Sequence, residues 1–195
     1  MSYLIRLWAL TLSFLLTIYY RLKSITIGSN VFFNSSPIIK KKNSAKIIIG
    51  NNVTINSNNS GYHLNMHSRC KLIADVPDAI IEIGDNTRIH GTCIHAFKHI
   101  KIGKNCLIAA NTQIIDANGH MISFPDVQNR INTKDIGRPI IIEDDVWIGA
   151  NCFVLGGVTI GSGSIISANS VVKKDIPKMC IAGGNPAVII KDYIA

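Results

Sequence analysis

The chain contains no run of the roughly 20 apolar residues that crosses a bilayer. Its longest apolar stretch, Leu7 to Tyr20, is broken by Thr11, Ser13 and Thr17. No small-residue cleavage site of the Ala-x-Ala kind follows, which argues against a secretory leader. Five cysteines are present, but none shows the paired CxxC spacing of a zinc site. An odd cysteine count without a cleavable leader points to a reducing compartment, the cytoplasm. No GxGxxG follows a strand pattern, so no βαβ nucleotide-binding unit is expected. The formal net charge is +8, yet the chain has no basic helix and no aromatic single-strand platform, which excludes the common nucleic-acid binders. The cations are local instead: Arg6, Arg21 and Lys23 flank the apolar stretch, Lys40, Lys41 and Lys42 form a run, and Lys173 and Lys174 lie near the end. A membrane surface or an anionic ligand would use them.

Helical and strand periodicities are also missing from most of the chain, and a period of six takes their place. Ile142, Ile148, Val154, Ile160, Ile166 and Val172 follow one another at that interval. Four residues after each of the first five stand Val146, Cys152, Val158, Ser164 and Ser170, all small or medium-sized. An amphipathic helix needs apolar residues every three to four positions and a half-buried strand every two, so neither fits. Each hexad is a short strand plus a corner: the aliphatic points inward, the small residue fits the corner, and Gly or Asn accepts positive φ there. The beat recurs less regularly upstream at Ile49, Ile83, Ile89, Ile102 and Ile108. The pattern predicts an all-β solenoid, a parallel β-helix of hexapeptide repeats, over residues 25–182, preceded by a helix over 1–24 and followed by a tail over 183–195. Cys93, Cys106 and Cys152 are expected in the small inward slot, as compact apolar fillers.

On a helical wheel Ser2, Arg6, Ser13, Thr17, Arg21 and Ser24 gather on one narrow stripe, leaving a broad face of Leu, Trp, Phe, Ile and Tyr. That is the pattern of an interfacial helix; a helix packed on the tower, or on its copies in an oligomer, is the alternative.

Between Ile114 and Ile140 the six-residue beat stops. The intervening polar segment is predicted to leave the tower as a loop over 116–139, and long loops in compact folds are usually functional. It carries His120, whose imidazole can take a proton from an attacking hydroxyl, and Asp116, close enough in sequence to orient that ring.

Four motifs then arrive in order: Pro139-Ile-Ile-Ile-Glu-Asp-Asp-Val-Trp-Ile-Gly-Ala-Asn, Gly156-Gly-Val-Thr-Ile-Gly, Ser170-Val-Val-Lys-Lys-Asp-Ile-Pro and Ala182-Gly-Gly-Asn-Pro-Ala. With the His-bearing loop they resemble the hexapeptide-repeat acyltransferases over roughly residues 80 to 192. The resemblance is to the maltose, galactoside and nodulation-factor O-acetyltransferases and their relatives that decorate bacterial surface polysaccharides. It implies a left-handed β-helix, a homotrimer, and acetyl-CoA as co-substrate in a cleft between towers, with no metal required. By position it implies His120 as general base. It places Trp147, Gly149, Ala150 and Ala168 along the acetyl-CoA channel, and Lys173, Lys174 and Lys191 near its phosphates; Lys173 departs from the family pattern. Arg88, His90 and His95, with His99, fall where the acceptor would be held, although relatives use carboxylates and amides there. The implied activity is acetyl transfer to a sugar hydroxyl of a glycan or lipid-linked acceptor, in O-antigen or capsule synthesis, in the cytoplasm with peripheral contact at the inner face of the cell membrane. The alternative on the same fold is a zinc lyase like the γ-carbonic anhydrases, which His90 and His95 would serve.

Overall fold

A computed structural model describes residues 3–193, with side chains from Leu7 onward. The six-residue beat becomes a three-faced tower of parallel strands. Face one stacks Thr26–Ile27, Lys46–Ile49, Ile80–Ile83, His99–Ile102, Ile140–Ile142 and Thr159–Ile160. Face two stacks Phe32–Asn34, Thr54–Asn56, Arg88–His90, Leu107–Ile108, Trp147–Ile148, Ile165–Ile166 and Cys180–Gly184. Face three stacks Ile38–Lys41, Lys71–Ala74, Cys93–His95, Gln113–Ile115, Phe153–Leu155 and Val171–Val172. The chain therefore visits each face once per coil, and each coil hydrogen-bonds only to those above and below it.

Register turns the beat into columns. On face two Phe33, Ile55, Ile89, Ile108, Ile148 and Ile166 lie directly over one another and are wholly buried. Leu72, Ile94, Ile114, Val154 and Val172 form the matching column on face three. Each strand residue next to these points outward, so the same register also builds an external column: Thr54, Arg88, Leu107, Trp147, Ile165 and Ile181.

The corner between faces one and two is an asparagine ladder. Asn30, Asn52, Asn86 and Asn105 all hold φ between 54 and 60. Each Nδ2 donates to the Oδ1 of the next, from 3.2 Å at the bottom to 3.0 Å at the last step, onto Asp145. Asparagine tolerates this left-handed backbone and ties neighbouring coils together with its amide.

Cysteine supplies the small slots as expected at Cys106 and Cys152, and also at Cys70 and Cys180, all buried and unpaired. Burial pushes the Cys70 and Cys106 thiols up to about 11. Cys93 is a correction. The step between inward residues across the second corner is six from Ile108 to Ile114, but five from Ile89 to Ile94. Thr92 takes the slot, and Cys93 turns outward between Lys71 and Gln113. The lost residue lies at Gly91, at φ 48, where a Cβ would stand 3.0 Å from Met66.

Helix α1, Tyr3–Leu22, closes the lower end. It docks through Ser13 of the polar stripe and through Tyr20, which was expected on the apolar face: the Ser13 hydroxyl accepts the Phe33 amide at 2.9 Å, and the Tyr20 hydroxyl donates to the Pro37 carbonyl at 2.7 Å. Arg21, expected to face a membrane, donates instead to the carbonyls of Ile27 and Gly28. Solenoid ends need such a cap because the first coil has no neighbour below it. The cost is an exposed apolar face, with Trp8 67%, Phe14 66% and Leu22 80% accessible. Ser2 and the Arg6 side chain, counted in the same stripe, lie outside the described residues. No helix among the described residues is long and apolar enough to cross a membrane. At the upper end the tower passes the expected boundary at 182: Cys180–Gly184 is its last strand on face two, and Ala187–Asp192 folds back antiparallel along it.

Adjacent residues on opposite sides of one strand give the sharpest check. Ile148→Ala should cost about 2–5 kcal/mol, whereas Trp147→Ala, on the outside, should stay within about 1 kcal/mol. Urea midpoints of both variants measure the difference.

Candidate active site

Trp147 begins the site: Ile148 turns inward and locks the strand, and Trp147 is left half-exposed between Leu107 and Ile165. Trp147, Gly149, Ala150 and Ala168 line one lateral cleft of about 680 Å³, together with Arg88 and His90. Residues expected on the cofactor side and on the acceptor side thus meet in one place. Gly149 serves packing as well as room, since a Cβ there would lie 2.5 Å from the Ala168 nitrogen. Lys191 stands opposite Ile181, so it extends the external column beyond Ile165; its ammonium lies 4.7 Å from the Tyr193 ring. Lys173 and Lys174 are exposed just after the last strand of face three, outside the cleft lining.

The cleft has a wall that the sequence reading missed. Residues 57–70 leave the tower between Thr54–Asn56 and Lys71–Ala74, and Tyr62, His63 and Leu64 close over the cleft. The signal was present: between Ile55 and Leu72 no inward aliphatic falls on the beat, and the segment is rich in Asn and Ser.

The second loop leaves the next corner, between Gln113–Ile115 of face three and Ile140–Ile142 of face one, as expected. It forms an arm whose two strands of chain hold each other. The Asn118 amide donates to Asp135 at 2.7 Å, and the Asp135 amide to the Gly119 carbonyl at 3.2 Å. Backbone donors, Asn118 first, hold the Asp135 carboxyl below its usual range. The Thr133 hydroxyl accepts the Met121 amide at 2.9 Å. A short 3₁₀ turn, Val127–Asn132, rounds the tip, where the Arg130 guanidinium lies 4.5 Å from the Phe124 ring.

His120 sits on this arm with its Nδ1 3.0 Å from the Thr133 carbonyl. A carbonyl only accepts, so Nδ1 carries the proton and the neutral ring presents Nε2 as its lone-pair nitrogen. That is the tautomer of a general base. His120 is not among the residues lining the cleft of its own chain. The arm is also unusually apolar for an exposed segment: Ile122, Phe124, Ile131 and Ile136 are each more than half accessible.

Asp116 does not orient His120, and this corrects the expectation. Its buried carboxylate accepts the amides of Phe97, Lys98 and His99 at 2.7, 2.8 and 2.8 Å. Its carbonyl takes the Arg138 amide at 2.7 Å, closing the root of the arm. A Cβ on Gly156 would lie 2.3 Å from that carbonyl, and Gly157 holds φ 92, so each residue of the pair has its own reason to be glycine.

The histidines expected together are dispersed as well. His90 is on face two, His95 on face three beside Asp75 at 3.0 Å, and His99 on face one beside Glu82 at 2.9 Å. The reason is geometric: a coil turns to a new face every few residues, so His90, His95 and His99 are carried to successive sides. Only His90 joins Arg88 at the cleft. No group of three or more potential metal ligands comes together among the described residues, so one chain assembles no centre of the kind the zinc-lyase alternative needs.

Two family models match, the bacterial transferase hexapeptide of six repeats at residues 139–174 and the hexapeptide repeat of succinyl-transferase at residues 80–115. The Escherichia coli K12 protein WbbJ, a candidate lipopolysaccharide biosynthesis O-acetyl transferase, is 29% identical over 90% of this chain and 88% of its own. A Vibrio cholerae hexapeptide-repeat acetyltransferase solved with acetyl-CoA is 42% identical, with TM-score 0.53, over 57% of this chain and 60% of that one. The polySia-specific acetyltransferase NeuO is 29% identical, with TM-score 0.57, over 86% and 85%. The chain carries the hexapeptide repeats of these transferases at residues 80–115 and 139–174 and is similar to acetyltransferases that bear them. It spans about half the length of the curated relatives it matches over the repeat region.

Separate roles for two neighbouring acidic and basic groups yield a prediction. Asp116→Asn should lower stability by about 1–3 kcal/mol, because an amide nitrogen would be turned toward buried N–H donors. His120→Ala should leave the melting temperature nearly unchanged, since that ring is exposed. Thermal melts of the two variants decide between these roles.

Proposed function

We propose that the protein is an acetyl-CoA-dependent O-acetyltransferase that acts on a sugar hydroxyl of a bacterial surface polysaccharide, as a homotrimer of left-handed β-helices. The observation that carries this reading is the His120 tautomer: Nδ1 is engaged by the Thr133 carbonyl and Nε2 is left basic on an exposed arm. WbbJ and NeuO, named for lipopolysaccharide and polysialic acid, support a glycan acceptor. The acetyl-CoA complex of the Vibrio relative supports the donor.

The cleft fits that donor. Gly149, Ala150 and Ala168 keep its edge low enough for an extended pantetheine chain beside Trp147, and Lys191 ends the external column where an anionic nucleotide would lie. Lys173 and Lys174, nearer the corner, are further candidates for the phosphates. When bound, acetyl-CoA supplies a thioester carbonyl as electrophile. His120 Nε2 takes the acceptor hydroxyl proton as the oxygen bonds to the acyl carbon. The resulting imidazolium gives that proton to sulfur as the carbon–sulfur bond breaks, which restores the neutral ring.

His120 and the cleft occupy different sides of one tower, so assembly joins them. In the proposed trimer the apolar arm of one copy lies against the next copy's cleft, which buries Ile122 and Phe124 and brings His120 to Trp147. The protein is placed in the cytoplasm, at the inner membrane face. There the exposed apolar side of α1 meets lipid, and Lys23 with the Lys40, Lys41 and Lys42 run meets anionic headgroups.

Kinetics separate base from binding groups. His120→Ala should lower kcat by about 10²- to 10⁴-fold with the acetyl-CoA dissociation constant nearly unchanged; a near-normal kcat would remove the assignment. Light scattering should give three copies per particle. For the membrane contact, Trp8→Glu with Phe14→Glu should release the protein from anionic vesicles at unchanged melting temperature; equal partitioning of variant and parent would place α1 at a protein contact.

A further inference from the structure

The 57–70 loop is closed at its base, braced internally and fastened to the tower at Asn111. The Cys70 amide donates to the Ser57 hydroxyl at 3.1 Å. The Met66 amide donates to Asn59 Oδ1 at 2.8 Å, and the His67 amide to Asn111 Oδ1 at 2.8 Å. Asn111 Nδ2 returns a bond to the Asn65 carbonyl at 2.8 Å. Met66 fills the space left by the short corner at Gly91, so the lost residue in the repeat and this loop are parts of one arrangement. What the loop carries to the cleft is Tyr62, whose ring stacks on His90 with centroids 4.6 Å apart at 20°.

The orientation of His90 follows from a chain of donors. Asn56 Oδ1 accepts the Asn58 amide at 3.0 Å, which sets the flip of the Asn56 side chain. Its Nδ2 must then be the group 3.2 Å from His90 Nδ1, and since Nδ2 donates, Nδ1 accepts. The proton of the neutral ring is therefore on Nε2. That N–H has no partner among the described residues. His120 shows the opposite arrangement, with Nδ1–H engaged and Nε2 bare.

We propose that the 57–70 loop is the acceptor-side wall of the cleft and that, through Asn56 and Tyr62, it fixes His90 as an Nε2–H hydrogen-bond donor to an oxygen of the sugar acceptor. This assignment rests on the transferase reading and adds to it a specificity group. The two histidines divide the work by tautomer: one takes a proton from the acceptor, the other holds an acceptor oxygen and cannot act as base. Burial first, then the nearby charges of Arg88 and His63, push His90 down to about 4, so the ring stays uncharged through the physiological range. A neutral Nε2–H donor suits an uncharged hydroxyl or ring oxygen, and the Tyr62 face shields the bond from water.

The test uses the full-length protein labelled with ¹⁵N at histidine ring nitrogens, with His90 assigned by the signals lost in His90→Gln. The expected spectrum shows the proton on Nε2 and a bare Nδ1, unchanged from about pH 5.5 to 8, and Asn56→Ala mixes the two tautomers. Methyl glycosides added to the acetyl-CoA complex should shift the Nε2 signal. In kinetics His90→Ala should raise the acceptor KM by about ten- to a hundredfold while the acetyl-CoA KM holds. A proton on Nδ1, titration near neutrality, or an Nε2 signal indifferent to every glycoside overturns the assignment. Glycosides that shift Nε2 but never receive acetyl would uphold it and contradict the transferase reading alone.

Discussion

The vertical register between coils is the constraint on which everything else depends. A parallel strand stacked in register places each residue directly above its counterpart, so the inward isoleucines Ile89, Ile108, Ile148 and Ile166 of face two become a continuous apolar column. Burying one such side chain is worth about 1.5–3 kcal/mol. A slip of one residue in a coil would turn that coil's entire column outward. The same register writes the outer surface. Leu107, Trp147 and Ile165 form a cleft wall only because Ile108, Ile148 and Ile166 form a core column behind them.

The two loops that leave the tower are the two places where function can enter. Both are paid back locally by hydrogen bonds that re-anchor the chain. At the root of the arm Asp116 gathers three amides of the preceding coil. At the 57–70 loop, asparagine side chains do the equivalent, from Asn56, Asn58, Asn59 and Asn111. Loops held this way present side chains at set positions, which suits a base on one and an acceptor wall on the other. Both loops follow from a solenoid in which each coil is complete in itself, so an insertion leaves the coils above and below in place.

Much of this was legible in the residues. The six-residue interval specified the tower and its strand direction, and the silent stretch before Ile140 marked the arm. The corrections share a cause, because a periodic reading tells which residues point inward but not where a corner gains or loses one. Gly91 removes a residue, so Cys93 turns out and Thr92 turns in. His90, His95 and His99 are close in sequence and are carried to three faces by the turning of the coil. Asp116 is near His120 in sequence, yet three backbone donors claim its carboxylate first. Of the stripe counted on α1, Ser13 and Arg21 turn to the tower while Ser24 falls beyond the helix; a solenoid's open end needs hydrogen-bonding groups, and Ser13 supplies one and Tyr20, from the side expected to be apolar, another.

The central claim is that one copy's arm completes the next copy's cleft. Complementation between two inactive variants tests it: His120→Ala removes the base, and Ala168→Trp fills the cleft. Subunits mixed in equal amounts and allowed to reassemble should form trimers in which an intact arm meets an intact cleft. Random closed rings of three would regain about a quarter of the parental activity. Mixtures as inactive as either variant alone, despite proven subunit exchange, would contradict the shared site and place base and cleft within a single chain.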